Sequence, residues 1–293
     1  MVRISEQDVL RLLPMKEAVR LVREAFRGLA DWSAQNQARR RLVTPEGAVL
    51  HQLAGAFGKY FGAKIYSTHV KHGAWFTVLL YDSATARPLA TIEANHLGQI
   101  RTGAASGVAT DLLARPDAAV LGVIGTGFQA ETQIEAIRVV RDIREVRVWS
   151  RDAARRGAFA QKVNARATAT AEEAIRGADI IVTATYAKDP VIEDDWVAPG
   201  THVNAIGSNN PQRREIPSAL VHRAALIGVD SIEQARIESG DLILAPIQWG
   251  DPRLEELSRT SGRKSDQDVT IFKSNGLGVQ DIAVGGYVFE HYS

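Results

Sequence analysis

Apolar positions change their period several times along the first third of the chain. In "MKEAVRLVREAFRGLADW" (15–32), Ala18, Val19, Val22, Ala25, Phe26 and Leu29 recur at helical spacing, which predicts an amphipathic helix with one face in a core. Ser5 followed by Asp8 is a capping-box pattern and predicts a shorter helix just before it, while Pro14 suits the start of the second. The stretches "ARRRLVTPEGAVLHQLAG" (38–55) and "KYFGAKIYSTHVKHGAWFTVLLYDSATARPLATIEA" (59–94) read differently. They are short β-rich runs broken by Gly, Pro and polar turns, and predict antiparallel strands. "LGQIRTGAASGVATDLLARP" (97–116) predicts a small-residue helix that ends before Pro116.

Beyond Pro116 the rhythm becomes regular. "AAVLGVIG" (118–125), "REVRVWS" (144–150), "ADIIVTATY" (178–186), "THVNAIG" (201–207) and "ALIGVD" (225–230) are buried-type strands. Helix-like segments such as "AARRGAFAQKV" and "AEEAIRGA" separate several of them, the alternation of βαβ units and a doubly wound parallel sheet. The closing "VTIFKSNGLGVQDIAVGGYVFEHYS" predicts a strand, a Gly-bearing turn and a helix. There are no internal repeats or low-complexity tracts. The change of rhythm near 116 marks the best domain boundary, and 116–270 reads as doubly wound α/β.

Composition narrows the function classes. At 293 residues the chain can bury a sizeable core. A net charge of +1 argues against a polyanionic partner such as nucleic acid. With no cysteine, disulfides, thiolate zinc sites and cysteine nucleophiles are excluded together. "MVRISEQDVL" carries Arg3, Glu6 and Asp8 and lacks the apolar region of a secretory signal. No run reaches the roughly 18 apolar residues of a membrane helix. The expectation is a cytoplasmic globular protein with neither nucleic-acid nor membrane partners. His69 and His72, if both lay in a strand, would point to opposite faces, so no metal pair is expected; HExxH, GxSxG and P-loop patterns are absent.

The most informative local motif is Gly125-Thr-Gly127-Phe128-Gln129-Ala130, a GxGxxA between a buried strand and the helix "QAETQIEAIRVV". Gly125 permits a tight turn, Gly127 leaves room for a pyrophosphate, and Ala130 lets helix and strand pack closely; the helix N-terminus then faces the anion. About 20 residues on, an NAD site usually offers an acidic residue. Here the strand end carries Ser150 and Arg151, and Asp152 is better placed as a helix N-cap. An arginine there suits the 2′-phosphate of NADP; the other reading is that it stacks over the adenine or faces water.

Hydride transfer needs an acid/base group at a strand end. Asp230 closes a predicted strand and, if burial lifts its pKa, can serve; it can equally be an N-cap for the next helix. Arg41, Lys64 and Arg101 are candidate cations for a substrate carboxylate, though each alone is more often a surface charge.

Taken together, "RLVTP" (41–45), "AKIYS" (63–67), "RTGAASGVATDLLARP" (101–116), "GVIGTGFQA" (122–130), "VNAIGSNNP" (203–211), "VDSIEQARIESGDL" (229–242) and "FKSNGLGVQD" (272–281) make the chain resemble the ornithine cyclodeaminase/mu-crystallin family over nearly its full length. The resemblance implies a homodimer. It also implies a Rossmann doubly wound parallel sheet (116–270) inserted into an α+β dimerisation and substrate domain (1–115 plus 271–293). By motif, the family's substrate-carboxylate contacts fall on Arg41, Lys64 and Arg101 and its catalytic aspartate on Asp230, with Lys64 as a second catalytic candidate. Thr183 and Ala184, together with Gly207 and Ser208, are expected to line the cofactor, with Lys273 and Gly276 near the nicotinamide.

The family divides by reaction. Cyclodeaminases resemble one another in a Glu before a Met-Pro pair; here Gln52 stands in place of that Glu and Ala54-Gly55 in place of Met-Pro. Glutamine takes no proton at neutral pH. Together with the Ser150-Arg151 strand end, this points to the family's simpler redox members. The expected activity is reduction of a small 2-imino or 2-oxo acid with NADP, or alternatively NAD, as in ketimine or Δ1-pyrroline-2-carboxylate reductases or alanine-dehydrogenase-like enzymes. The alternatives are an ornithine-type cyclodeaminase with catalytic NAD and a crystallin-like NADP-dependent ligand-binding protein.

Overall fold

The structure, a computed structural model, describes residues 1–292. It divides into two compact units: residues 1–104 with 276–293, and residues 105–275. Both boundaries differ from those the sequence suggested, for physical reasons. The helix Asn95–Leu113 does not end at a boundary: its last turns are tied to the parallel sheet, where Asn204 donates to Thr110 (3.0 Å). Strand Thr270–Lys273 lies inside that sheet rather than in the first unit.

The first unit runs β1 (Val2–Ile4), α1 (Glu6–Leu12), α2 (Met15–Asp31), β2 (Gln35–Asn36), β3 (Arg40–Val43), β4 (Val49–Phe57), β5 (Tyr60–His69), β6 (Gly73–Asp82), β7 (Pro88–Glu93) and the start of α3 (Asn95–Leu113). The capping box at Ser5 and Asp8 forms as expected, and Pro14 precedes α2. The sheet order is β1-β7-β6-β5-β4-β2, with β3 also on β4; all pairs are antiparallel except β1 with β7. The short parallel strand β1 was not foreseen. His69 and His72 meet at the β5–β6 turn with ring centroids 4.6 Å apart, because His72 lies beyond the strand, so the opposite-face argument does not hold. Among the described residues no group of three or more His, Asp or Glu is placed to hold a metal.

The second unit continues with β8 (Val120–Ile124), α4 (Phe128–Val140), β9 (Glu145–Trp149), α5 (Ala153–Lys162), β10 (Arg166–Ala167), α6 (Ala171–Ile175), β11 (Ile180–Thr183), β12 (His202–Ala205), α7 (Ser218–Arg223), β13 (Leu226–Val229), α8 (Ile232–Glu238), α9 (Gly240–Ile243), β14 (Leu254–Glu256) and β15 (Thr270–Lys273). The closing helix α10 (Gly278–Glu290) returns to the first unit. All eight strands of the second sheet are parallel, ordered β10-β9-β8-β11-β12-β15-β13-β14. Alternate residues feed opposite layers: Ile180 and Val182 join Ile134 and Ile137 on one face, and Ile181 joins Ala174 and Leu220 on the other. This is a doubly wound sheet covered on both faces, the Rossmann architecture. Its strand order reverses between β8 and β11, where such sheets take a ligand at their carboxyl ends.

In the first unit α10 lies on β4, β5 and β6. The approach is close enough that a side chain at Gly55 would strike the Val279 backbone, and one at Gly286 would strike the Tyr60 ring. Among the described residues no helix is long and apolar enough to cross a membrane.

Candidate functional site

In the second unit the glycine turn leaves β8 at Ile124. Gly125 has φ +110, and a side chain there would also strike the Ala184 carbonyl, so the turn passes directly over the end of β11. Gly127 is different. Its φ of −83 suits any residue, and an added Cβ would meet no protein atom within 4 Å. The fold does not require glycine at 127; open space ahead of the α4 N-terminus does. No side chain caps α4, and the Ala130 N–H donates to the Gly127 carbonyl (3.1 Å), so the positive end of the helix dipole lies at that space. Ala130 is fully buried, Phe128 is half exposed, and Gln129 keeps a buried Oε1 without a hydrogen-bond partner. The turn is bound to the next strand end by Thr126 donating to Ser150 (3.0 Å). Arg151 is exposed beside it, and Asp152 caps α5, as expected.

The other expected cofactor residues share a buried polar frame. Glu215 accepts from Thr183 Oγ1 (3.0 Å), from Thr185 N (2.6 Å) and Oγ1 (2.7 Å), and from Gly207 N (2.7 Å). Its own backbone N–H donates to Asp241 (2.6 Å), which pairs with Lys273 (2.9 Å), and Lys273 donates to the Ser208 carbonyl (2.7 Å). Burial pushes the Glu215 carboxyl up, Asp241 adds to that, and Lys273 opposes it. One frame therefore fixes the ends of β11, β12 and β15. Gly207 owes its identity to this packing, since a side chain would collide with Thr185 and Glu215; Ser208 keeps a buried hydroxyl without a partner.

Asp230, at the end of β13, is buried and accepts from Ser274 Oγ (3.1 Å) and from the Asn275 backbone N–H. The N-cap of α8 is Ser231, not Asp230. The capping reading left open by the sequence is thereby removed.

In the first unit Lys64 and Arg101 come together. Asp281 Oδ1 accepts from Lys64 Nζ and from Arg101 Nε, both at 2.9 Å, and all three side chains are nearly fully buried. Burial, then Arg101, lowers the Lys64 pKa to about 7; Asp281 acts against them, and Arg39 adds to the lowering. Arg101 Nη1 donates to Gln280 (3.2 Å). Gly276, expected near the nicotinamide, lies against the Arg101 guanidinium, with φ +78 and no space for a side chain.

Arg41 is not part of this cluster. It is exposed on β3 opposite His51, whose pKa falls to about 4 through burial and the nearby Arg41 and Arg39. Gln52 is exposed on β4.

Sequence reasoning missed Asp281, Arg39, and the pair Glu215 and Asp241. Asp281 had a signal: a lone acid among Gly and apolar residues in "GVQDIAVGG" is a charge that must be paired when buried. Arg39 had none, since it opens the run Arg39–Arg41 just before β3 and is buried where Arg41 is exposed.

A sequence model of the ornithine cyclodeaminase/mu-crystallin family matches residues 2–293. The chain is similar to the Δ1-pyrroline-2-carboxylate reductase of Bacillus cereus, 42% identical over 73% of this chain and 70% of that protein. It is similar in structure to the Thermococcus litoralis Δ1-pyrroline-2-carboxylate reductase solved with NADH and L-proline: TM-score 0.92, 30% identity, 99% of this chain and 97% of that one. An archaeal alanine dehydrogenase dimer with bound NAD gives TM-score 0.93 at 33% identity, covering 98% of this chain and 94% of that one.

Proposed function

The chain belongs to the ornithine cyclodeaminase/mu-crystallin family, and we propose that it is an NAD(P)H-dependent reductase of small 2-imino or 2-oxo acids, with a cyclic ketimine carboxylate as the leading substrate class. The observation that carries this reading is the open space at Gly127, which the chain itself does not require, at a helix N-terminus that no side chain caps. The residues present fit a dinucleotide: Gly127 leaves room for the pyrophosphate, and the Thr183–Ala184 and Gly207–Ser208 backbones are held still by Glu215 and Lys273. The solved relatives that carry NADH or NAD support it.

A bound reduced nicotinamide supplies the hydride. Lys64 and Arg101 hold the substrate carboxylate by charge-assisted hydrogen bonds, with Arg41 as a further contact. Asp230 supplies the proton to the substrate nitrogen, or stabilises the iminium, which accepts hydride more readily than the neutral imine. The balance is one hydride to carbon and one proton to nitrogen, so C=N becomes CH–NH. The Lys64 pKa of about 7 makes it a second group able to exchange a proton near neutrality. Arg151 favours NADP over NAD. A homodimer is supported by the sheet of the first unit: Leu42, Leu50, Ser67 and Trp75 are cross-strand partners on one face, and Leu42 and Trp75 remain 60% and 61% exposed.

The test is absorbance at the reduced-nicotinamide band, with NADPH and NADH offered separately alongside Δ1-pyrroline-2-carboxylate, Δ1-piperideine-2-carboxylate, or pyruvate with ammonia or methylamine. Loss of absorbance with a cyclic imine is expected. No loss with any acceptor, followed by ammonia release from ornithine with catalytic NAD, would replace this reading with the cyclodeaminase one.

A further inference from the structure

The cation pair of the first unit is assembled on a single oxygen. Asp281 Oδ1 accepts both the Lys64 ammonium and Arg101 Nε, while Asp281 Oδ2 is buried with no hydrogen-bond partner. Arginine–carboxylate pairs are frequently bidentate, and this one leaves the second oxygen unused. Sharing one oxygen draws two like charges together, against their repulsion. The arginine is further fixed by Gln280 at Nη1 and by the Gly276 backbone, where any side chain would collide with the guanidinium.

The groups facing Lys64 are few. β4 and β6 place Leu53 and Val78 opposite it. α3 contributes Arg101 and, with no side chain, Gly98; α10 contributes Asp281; Arg39 acts from just before β3; and the Tyr66 ring lies 5.7 Å from Nζ. Two of these are cations and one is an anion, so the negative charge that opposes loss of the Lys64 proton comes from Asp281.

We propose that Asp281 is the positioning residue of the anion site: its Oδ1 aims Lys64 and Arg101 at one point, where the substrate carboxylate binds, and its charge opposes loss of the Lys64 proton. The proposal rests on the reading of these cations as a carboxylate clamp. Burial and two neighbouring arginines already weaken the Lys64 proton, so losing the Asp281 charge removes the clamp's ammonium near neutral pH even where the shape is kept.

Asp281→Asn keeps that shape and deletes the charge. Two readouts separate positioning from cohesion. The first needs no ligand: NMR titration of Lys64 in lysine-¹⁵N-labelled protein, with the signal assigned by its loss in Lys64→Arg. The midpoint is expected to fall by about one pH unit or more, the scale set by an opposite charge at this range. The second is steady-state reduction of Δ1-pyrroline-2-carboxylate at pH 7.5, where KM rises about tenfold and kcat changes far less, since ground-state binding is what is lost. An unchanged midpoint, or an unchanged KM in an active enzyme, overturns the proposal. A wild type without turnover whose Lys64 midpoint still falls in the variant sinks the reductase reading and leaves the charge role of Asp281 standing. If Asp281→Asn does not fold, as judged by lost NADH binding and a lost melting transition, Asp281→Glu decides. Retaining the charge on a longer arm, it should keep the midpoint and raise KM, and a midpoint that falls by a unit overturns the proposal.

Discussion

In the first unit, Lys64 and Asp281 stand 217 residues apart in sequence and meet where almost no solvent reaches, with Arg101 bound to the same oxygen. In the second, Gly125, Gly127 and Ala130 come from a single turn of the chain. The first region is built of paired charges, the second of space and backbone. Burying two cations against one carboxylate costs desolvation that the ion pairs repay only in part, and the Lys64 pKa of about 7 is the visible sign of that tension. The glycine turn carries no such cost. One region is therefore tuned by pH and by its ion partners, and the other by steric fit.

The contrast breaks most sharply at Asp230, which fits neither description. It is a buried carboxylate in the second unit, held by Ser274 and the Asn275 N–H. Asp230→Asn keeps the shape and removes the carboxyl proposed to carry the proton. Imine reduction should fall on the order of 10²–10⁴-fold in kcat, the range for a positioned acid or base. NADH affinity, measured by fluorescence titration, should stay within about twofold. An unchanged kcat would remove Asp230 from the chemistry.

A pair of variants then tests whether the two regions act separately. Arg101→Leu deletes half of the cation pair and should raise KM for the imino acid by roughly 10–100-fold, as expected for lost hydrogen bonds to a charged group, with NADH affinity unaltered. Gly127→Val should do the reverse. Its branched side chain enters space that no protein atom occupies, so the melting temperature is kept while NADH affinity falls at least about tenfold. If each variant damaged both ligands equally, the division between charge and space would be wrong.

That division also explains what the sequence could disclose. The parallel strands, the glycine turn and the Ser5 cap depend on residues a few positions apart, so periodicity and spacing reveal them. Asp281 was not singled out because its partners lie on β5 and α3, and no local pattern says which cations a helix acid will meet. Glu215 was overlooked for the same reason: its four donors come from the ends of two other strands. The family motif points to Arg41 and says nothing of Arg39. Both lie in one arginine run, and only the fold shows that Arg39 is the buried one and the one felt by Lys64. The domain boundaries were misplaced because α3 runs through one without any break in helical pattern.

Acidity and alkalinity sharpen the comparison from opposite sides. Lys64 titrates at about 7 in the folded chain and near 10.5 when unfolded, so between those values the unfolded chain holds a proton that the folded one has released. Its contribution to stability therefore rises with pH across that window and is least favourable below 7. In the second unit, His202 is buried with its pKa lowered to about 3, chiefly by burial, and Nδ1 paired with Thr270. Below its unfolded value of 6.5 the unfolded chain takes up a proton that the folded chain refuses, so stability is lost as pH falls toward 3, by roughly 1 kcal/mol per pH unit. Melting temperature followed from pH 8 to 5 should decline, and less steeply in His202→Gln. Equal slopes would show that other groups set the acid limit.

The smallest effect is expected where the second unit does use charge. Arg151 follows β9 at the strand end where the adenine ribose of a dinucleotide lies in this architecture, and it is exposed. Ser150 beside it accepts from Thr126, and Asp152 Oδ1 caps α5 by accepting from the Arg155 N–H. A guanidinium there gains a 2′-phosphate through charge-assisted bonds, but in open solvent such a pair is screened and worth about 1 kcal/mol. Arg151→Ala should therefore weaken NADPH about fivefold and leave NADH within experimental error, and the difference should shrink as salt is raised. Equal losses for both cofactors would mean that Arg151 stacks on the adenine instead, and the second unit would then be steric throughout.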